Sequence, residues 1–295
     1  MNILRRLIIL TIGLLFVSCA YAYFLVNDRE SRKNTLQIAA IDQMTGDPQR
    51  AKYVATMGGC IACHTNYAEG GKDLAGGVPI ETPFGTFFSP NITSDKSAGI
   101  GQWTTAEFLT AMTIGVSPDN EHYYPSFPYT SYSVMAEQDL VDLKAWLDTV
   151  APISTQAPTH DIQWPLSWRM GLTPWKALFF DPLRTANKTN RGQYLIEVGH
   201  CAECHSQRNA IGGLNNRSLS GNTRGPEGES VPGITATDLS LWTIEDLELF
   251  LEVGITDEGD FTGGHMVDVI EYSTGLLTAA DRTAIATYLL SEANK

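Results

Sequence analysis

Four of the five cysteines of this 295-residue chain lie in two copies of one motif, C-I-A-C-H at residues 60–64 and C-A-E-C-H at residues 201–205. A C-x-x-C pair alone is compatible with a redox disulfide, half of a zinc site or covalent attachment of haem. A histidine directly after the second cysteine is what c-type haem attachment requires, because both thiols form thioethers and the histidine then lies beneath the iron. We therefore predict two covalently bound haems c. The predicted thioether positions are Cys60, Cys63, Cys201 and Cys204, and the predicted proximal ligands are His64 and His205.

The two other chemistries fit the surrounding sequence poorly. A thioredoxin-type redox pair belongs in a βαβ context, and the sequence shows no such alternation. A structural zinc site needs four ligands, whereas each motif supplies three at most. We therefore interpret both motifs as sites of haem attachment.

The N-terminal segment predicts export of the chain. Arg5 and Arg6 precede residues 7–26, an uncharged run that as a helix would rise about 30 Å and cross a bilayer. Because a cationic flank stays in the cytoplasm, the haem motifs would face the periplasm. We interpret residues 1–30 as an anchor in the inner membrane. The alternatives are a signal peptide cleaved after Ala20-Tyr21-Ala22, which would release a periplasmic protein, and a lipoprotein acylated at Cys19.

The likeness between the motifs extends over a duplicated domain. The pattern R-x-x-Y-x-x-x-x-G-x-C-x-x-C-H occupies residues 50–64 and recurs 141 residues later. The echoes continue downstream, with L-A-G-G and P-N-I-T in the first copy and L-S-G-N and P-G-I-T in the second. We predict haem domains over residues 46–151 and 188–295, joined by a Pro- and aromatic-rich linker over residues 152–187.

Each copy is predicted to contain three helices. The first runs into the cysteine motif, and the second begins at a capping box, Thr104 with Glu107 or Thr243 with Asp246, and ends at a glycine. The third spans about residues 136–150 or 279–291. The loops between them, such as 69–83 and 221–233, look too irregular for strands and suit a chain wrapped around a bulky ligand.

These features resemble the membrane-associated multi-haem cytochrome c subunits of bacterial periplasmic dehydrogenases, such as alcohol and gluconate dehydrogenases. The resemblance covers residues from about 46 to 293 and is carried by the repeated motif, P-N-I-T-S-D, G-I-G-Q-W-T, Y-Y-P-S-F-P-Y and G-H-M-V-D-V-I-E-Y-S. Those subunits often carry three haems, whereas this chain has two motifs. The resemblance implies an all-α fold of two tandem, loop-rich, class-I-like cytochrome c domains behind an N-terminal transmembrane helix.

The sixth iron ligand distinguishes the two copies. Met266 lies in the Gly-rich stretch G-G-H-M and matches the axial methionine of the family, so we interpret it as the distal ligand of the second haem. In the first copy Phe127 occupies the position where some relatives have methionine, and phenylalanine cannot bind iron. Met135 is our candidate for the first haem, with His122 as the alternative and an open iron as the third possibility.

The linker carries three tryptophans, Trp164, Trp168 and Trp175, beside Phe179 and Phe180. One interpretation is that these aromatic side chains pack the two domains together. The other is a docking or membrane-surface patch, because aromatic residues beside cations are typical of interfaces.

The resemblance implies an electron-transfer subunit without catalysis of its own. Its expected partners are a periplasmic dehydrogenase subunit, which oxidises the substrate, and an acceptor, which is quinone, a terminal oxidase or a soluble cytochrome. The alternative is a stand-alone diheme enzyme of the peroxidase type that uses an open first haem. The net charge of −13 argues against nucleic acid as a partner.

Overall fold

The computed structural model describes residues 3–41, 43–186, 189–214, 216–225 and 228–291. This part of the chain is rich in helix and contains one small sheet. The predicted boundary at residues 187 and 188 and the last four residues of the predicted second domain lie outside the described residues. The helices are α1 (Ile3–Ile41), α2 (Pro48–Met57), α3 (Cys60–His64), α4 (Thr105–Ile114), α5 (Tyr129–Tyr132), α6 (Glu137–Leu147), α7 (Leu172–Phe179), α8 (Arg191–Val198), α9 (Ala202–His205), α10 (Ile244–Val253), α11 (His265–Tyr272) and α12 (Ala279–Leu289), with single 3₁₀ turns at Tyr67–Glu69, Arg169–Gly171 and Thr274–Leu276.

Helix α1 is longer than the predicted anchor. Its N-terminal part is long and apolar enough to cross a membrane, and Leu7, Phe16 and Phe24 are more than half exposed. The helix does not end near residue 30 but continues to Ile41, where it packs against α4, α6 and α7. The polar second half of the helix therefore belongs to the body of the protein, which the run of apolar residues alone could not indicate.

Three polar contacts attach the second half of α1 to the first copy. Lys33 Nζ donates to the carbonyl of Ser133 at 2.9 Å. The hydroxyls of Thr110 and Thr113 on α4 donate to the side-chain oxygens of Asn34 and Gln37 at 3.0 and 2.7 Å. Because these residues are spaced along one face of the helix, the orientation of α1 against the first copy is fixed.

The predicted start and end of the second helix are confirmed in both copies. Thr104 and Thr243 both form complete capping boxes, with Glu107 and Asp246 respectively. The two helices end at glycines in the left-handed region, Gly115 with φ +70° and Gly254 with φ +79°, a conformation that glycine adopts without strain.

Within each copy the first and third helices form the main contact, α2 with α6 and α8 with α12. The arginine of the repeated R-x-x-Y pattern links them. Arg50 on α2 forms ion pairs with Asp139 at 2.7 Å and Asp142 at 2.6 Å, and Asp142 is fully buried. Arg191 on α8 pairs with Asp281 on α12 at 2.6 Å.

The buried apolar residues of both copies form one continuous cluster. It contains Met57, Leu109 and Leu140 from the first copy together with Leu195 and Ile285 from the second. The structure therefore supports the duplication of the helices but does not separate the cores of the two predicted domains.

The prediction that residues 69–83 are too irregular for strands is wrong at its C-terminal end. Strand β1 (Pro79–Thr82) pairs antiparallel with β2 (Gly85–Phe88), and β2 pairs with β3 (Asp161–Ile162) from the linker. Ile80 lies opposite Phe87, and both contribute to a small apolar cluster apart from the main core. The third strand comes from a distant part of the chain, so no local pattern indicates the pairing.

A buried charged cluster lies where α1 leaves its apolar run. Lys176 on α7 is 1% exposed and donates to Glu30 at 2.9 Å, to the carbonyl of Ile114 at 2.7 Å and to Nδ1 of His122 at 2.7 Å. Burial, with the neighbouring Lys176 ammonium, lowers the pKa of His122 to about 4. The imidazole is therefore neutral at pH 7, and its Nδ1 accepts a hydrogen bond from the Lys176 ammonium.

We expect this imidazole to make the folded state sensitive to acid. Its pKa is lower in the folded chain than in the unfolded chain, so its contribution to stability is complete above about pH 6.5 and is lost as the pH falls towards 4. His122→Phe should reduce the loss of stability between pH 7 and pH 5 by about 1–2 kcal/mol. The measurement is the unfolding temperature of the unaltered protein and of the variant at pH 7 and pH 5. An equal change in both proteins would show that the His122 imidazole does not contribute to the acid sensitivity.

Candidate haem sites

Both cysteine motifs lie in one-turn helices, α3 and α9, that follow the first helix of each copy after a sharp turn. Helix α2 ends at Gly58, and Gly59 has φ +68° before α3 begins. In the second copy the same position is His200, with φ +47°. A left-handed residue reverses the chain, so that each motif lies against the C-terminal end of its preceding helix.

Equivalent hydrogen bonds orient the histidines of the two motifs. His64 Nδ1 lies 2.7 Å from the carbonyl oxygen of Pro90, and His205 Nδ1 lies 2.8 Å from that of Pro232. A carbonyl only accepts, so Nδ1 carries the proton in both rings and Nε2 keeps its lone pair. Such an outer hydrogen bond fixes the tautomer and orientation of a metal-binding imidazole. The donor set therefore fits an iron ligated through Nε2 of each histidine.

The loops between the motif histidines and these prolines contain the same backbone hydrogen bond in both copies. Gly76 and Gly221 donate to the carbonyls of His64 and His205 at 2.7 and 2.8 Å. Both glycines have positive φ, and a Cβ on Gly76 would lie 2.5 Å from Pro90. The G of the echoed L-A-G-G and L-S-G-N segments is thus required for the loop to pass close to the proline.

The environment of the motif thiols disfavours the thiolate form that a redox or zinc site uses. Burial raises the pKa of Cys60 and of Cys201 to about 12, and that of Cys204 to about 11. Thiols of this kind stay protonated at neutral pH, whereas redox and zinc-binding cysteines react as thiolates. In the part of the chain that the structure describes, no cluster of three or more His, Cys, Asp or Glu side chains could hold a metal ion.

The loops after α4 and α10 contain matching backbone contacts and show where the copies differ. Val116 bridges to His122 as Ile255 bridges to Phe261. The backbone N–H of Tyr123 donates to the carbonyl of Gly115 at 2.9 Å. The backbone N–H of Thr262 donates to the carbonyl of Gly254 at 2.8 Å in the same way. With this offset of 139, Phe127 takes the position of Met266.

The sulfur donors lie in different settings. Met266 is in the first turn of α11, after Gly264, and is partly buried against the main core. Met135 lies between α5 and α6 and is 1% exposed. Met112 is buried within α4. Phe127 packs in an aromatic group with Tyr123 and Tyr132, at ring distances of 5.7 and 5.8 Å.

The aromatic side chains of the linker divide between the two predicted roles. Trp175 Nε1 donates to the carbonyl of Ile211 at 3.0 Å, and Phe180 packs edge-on against Tyr129 at 5.0 Å. Trp175 thus attaches the linker to the second copy, and Phe180 attaches it to the first. Trp164 and Trp168, in contrast, are 82% and 61% exposed.

His160 is part of the linker's contact with the small sheet. Its Nδ1 accepts from the backbone N–H of Phe88 at 3.2 Å. Its ring lies against Phe87 and Tyr124, at 5.4 and 6.0 Å. The side chain therefore stabilises the pairing of the linker with strand β2.

Glu203, inside the second motif, is a contact residue that sequence reasoning missed. Its carboxylate accepts from Thr130 and Ser131 of the first copy, both at 2.8 Å, and forms ion pairs with Arg208 and Arg217. The first motif has Ala62 at the matching position. That difference between C-I-A-C-H and C-A-E-C-H was the available signal, but Thr130 and Ser131 lie 73 and 72 residues away in sequence and only the fold shows these partners.

No family model matches the chain. A protein named diheme cytochrome c-type from Cereibacter sphaeroides is 40% identical over 292 residues, 95% of this chain and 96% of that protein. The gluconate 2-dehydrogenase cytochrome c subunit of Pantoea cypripedii is 38% identical over 87% of this chain and 63% of the subunit. The alcohol dehydrogenase (quinone) cytochrome c subunit of Gluconacetobacter polyoxogenes is 37% identical over 82% of this chain and 55% of the subunit. The chain thus spans between half and two thirds of the length of these dehydrogenase subunits.

We expect Glu203→Ala to destabilise the folded chain by about 1–3 kcal/mol, because the partly buried Arg208 and Arg217 lose the carboxylate that they share. Ala62 shows that alanine is compatible with the motif itself. The measurement is denaturant unfolding of the haem-loaded protein, with the exposed residue Asp257→Ala as the control that should change stability by less than about 0.5 kcal/mol. Equal stability of the two variants would contradict a contact role for Glu203.

Proposed function

The chain belongs to the family of c-type cytochromes that comprises diheme cytochromes c and the cytochrome c subunits of bacterial dehydrogenases, and we propose that it carries electrons through two covalently bound haems c. The observation that carries the proposal is the histidine–proline hydrogen bond, which occurs in the same form in both copies. Haem iron, when bound, takes up and releases one electron at a time. The protein's part is to hold the ring, supply the iron ligands and exclude water.

The residues that would hold the haems follow from the two motifs. Cys60, Cys63, Cys201 and Cys204 would form the thioethers, and His64 and His205 would be the proximal ligands. We assign Met266 as the distal ligand of the second haem, because it begins a helix beside the core in the loop that follows α10.

For the first haem we assign Met135 as the distal ligand. Its neighbour Tyr132 contacts the turn before Cys60, since the Tyr132 hydroxyl donates to the carbonyl of Gly58 at 2.6 Å. Met135 N–H in turn donates to the carbonyl of Tyr132 at 3.0 Å, which holds the methionine near the same turn. The alternative, His122, has Nδ1 occupied by Lys176 and hence its proton on Nε2, which speaks against iron ligation.

The proposed electron donor is a dehydrogenase subunit that oxidises the substrate. This rests on the relatives named as cytochrome c subunits of gluconate, alcohol and fructose dehydrogenases. Quinone, a terminal oxidase or a soluble cytochrome would accept the electrons. The chain itself would carry out no substrate chemistry.

We place the protein at the periplasmic face of the inner membrane, anchored by α1. The helix runs without a break through the possible cleavage site at residues 20–22. The α7 region is the first part of the body to contact α1 beyond its apolar run, through Lys176 and Glu30. The exposed Trp164 and Trp168 precede α7, and tryptophan is enriched at the membrane–water interface. We therefore propose that these tryptophans rest on the lipid surface.

We expect two haems per chain. Replacing both cysteines of either motif with alanine should leave one covalent haem, because each motif would hold its own ring. The measurement is the absorbance of the reduced pyridine haem complex per mole of purified protein. Retention of two haems after Cys201→Ala with Cys204→Ala would contradict the proposed attachment sites.

The electron-transfer and peroxidase hypotheses differ in access to the first iron. We expect the reduced protein not to bind carbon monoxide, since both irons would have two protein ligands, and Met135→Ala to bind one equivalent. Met112→Ala removes another buried methionine of the first copy and should leave carbon monoxide binding absent. Binding by the unaltered protein would favour the open, peroxidase-like site.

A further inference from the structure

The tyrosine of each R-x-x-Y motif reaches across to the other copy. Tyr53 on α2 donates to Asp281 at 2.6 Å and accepts from the backbone N–H of Thr278 at 3.1 Å. Tyr194 on α8 donates to Asp139 and accepts from the backbone N–H of Ala136 at 3.0 Å. The acceptor and donor positions correspond at an offset of 142, so the exchange is reciprocal.

The carboxylates that receive these tyrosines also receive the arginines of the same motif. Asp139 binds Arg50 from its own copy and Tyr194 from the other, and Asp281 binds Arg191 and Tyr53 in the same way. Each third helix is therefore tied at its N-terminus to the first helix of both copies. The arginine holds a copy together, whereas the tyrosine joins the two copies.

The two crossing contacts differ in the residue beside them. Ala136, which donates to Tyr194, directly follows Met135, the proposed distal ligand of the first haem. Thr278, which donates to Tyr53, directly follows Leu277. The hydroxyl of Tyr194 thus fixes the peptide group that joins Met135 to Ala136, while the equivalent hydroxyl fixes a peptide group next to a residue that cannot bind iron.

Met135 is held from both sides. Its own N–H donates to Tyr132 in the first copy at 3.0 Å, and the N–H that follows it donates to Tyr194 in the second. Met135, Tyr132 and Tyr194 are all at most 5% exposed. Helix α8, which carries Tyr194, leads through the turn at Gly199 and His200 to the second cysteine motif.

We propose that Tyr194 is a positioning residue for the distal ligand of the first haem, so that the second copy sets the ligand geometry in the first. The proposal rests on the proposed function, in which Met135 ligates the first iron. A methionine ligand raises the potential of a haem. A Met135 that is less firmly held would lower the potential of the first haem and leave that of the second unchanged.

The test is Tyr194→Phe in the full-length, haem-loaded protein, with Tyr53→Phe as its matched control. Each substitution removes one hydroxyl and keeps the ring, in contacts of the same geometry. For Tyr194→Phe we expect one haem of the reduced protein to bind carbon monoxide, because the form in which the ligand has left the iron should be about five- to tenfold more populated than in the unaltered protein, the factor that one lost hydrogen bond produces. We also expect one of the two midpoint potentials to fall. Tyr53→Phe should change neither quantity, although both variants should have lower unfolding temperatures.

Three results separate the possible failures. If both tyrosine variants alter the haem properties equally, or if neither does, Tyr194 contributes only to stability and the positioning role is overturned. If Met135→Ala opens the first haem but Tyr194→Phe does not, the ligand assignment stands and the positioning role fails alone. If Met135→Ala leaves carbon monoxide binding and both potentials unchanged, the ligand assignment fails, and the positioning role fails with it.

Discussion

The hydrogen bond between each motif histidine and a proline carbonyl is the constraint on which both sites depend. Because it fixes the proton on Nδ1, it leaves the lone pair on Nε2 of His64 and His205, where a metal would bind. The bond forms only if the loop after the motif turns back over it, and this explains the positive-φ glycines, Gly76 and Gly221, that the sequence repeats at corresponding positions. The duplicated pattern is thus a set of residues that serves one ring orientation.

The two copies are held by contacts that their shared ancestry does not by itself require. The tyrosines of the R-x-x-Y motifs exchange between copies, and Glu203 reaches from the second motif to the first copy. Because each of these hydrogen bonds joins a defined atom of one copy to a defined atom of the other, together they hold the copies in one relative arrangement. Electron exchange between the two proposed haems would require a fixed relative geometry, and Trp175 and Phe180 of the linker contribute to it.

What the sequence could predict was whatever depends on residues close together in the chain. The haem motifs, the capping boxes at Thr104 and Thr243 and the family resemblance are of this kind. The observed helix ends confirm the capping boxes, and the relatives confirm the family resemblance. The pairing of β3 with the strand pair near residue 80, the packing of α1 beyond residue 30 and the contacts of Glu203 with the first copy depend on distant segments. No local pattern indicates such contacts, since the same residues could lie in a loop or on a solvated face.

The central claim is that both irons have histidine–methionine ligation although the methionines, Met135 and Met266, come from non-matching positions of the two copies. Near-infrared magnetic circular dichroism of the oxidised protein tests it most directly, because histidine–methionine and bis-histidine haems absorb at different energies. The account predicts a single type of low-spin signal with an intensity of two histidine–methionine haems per chain. One such haem accompanied by a bis-histidine or high-spin haem would contradict it.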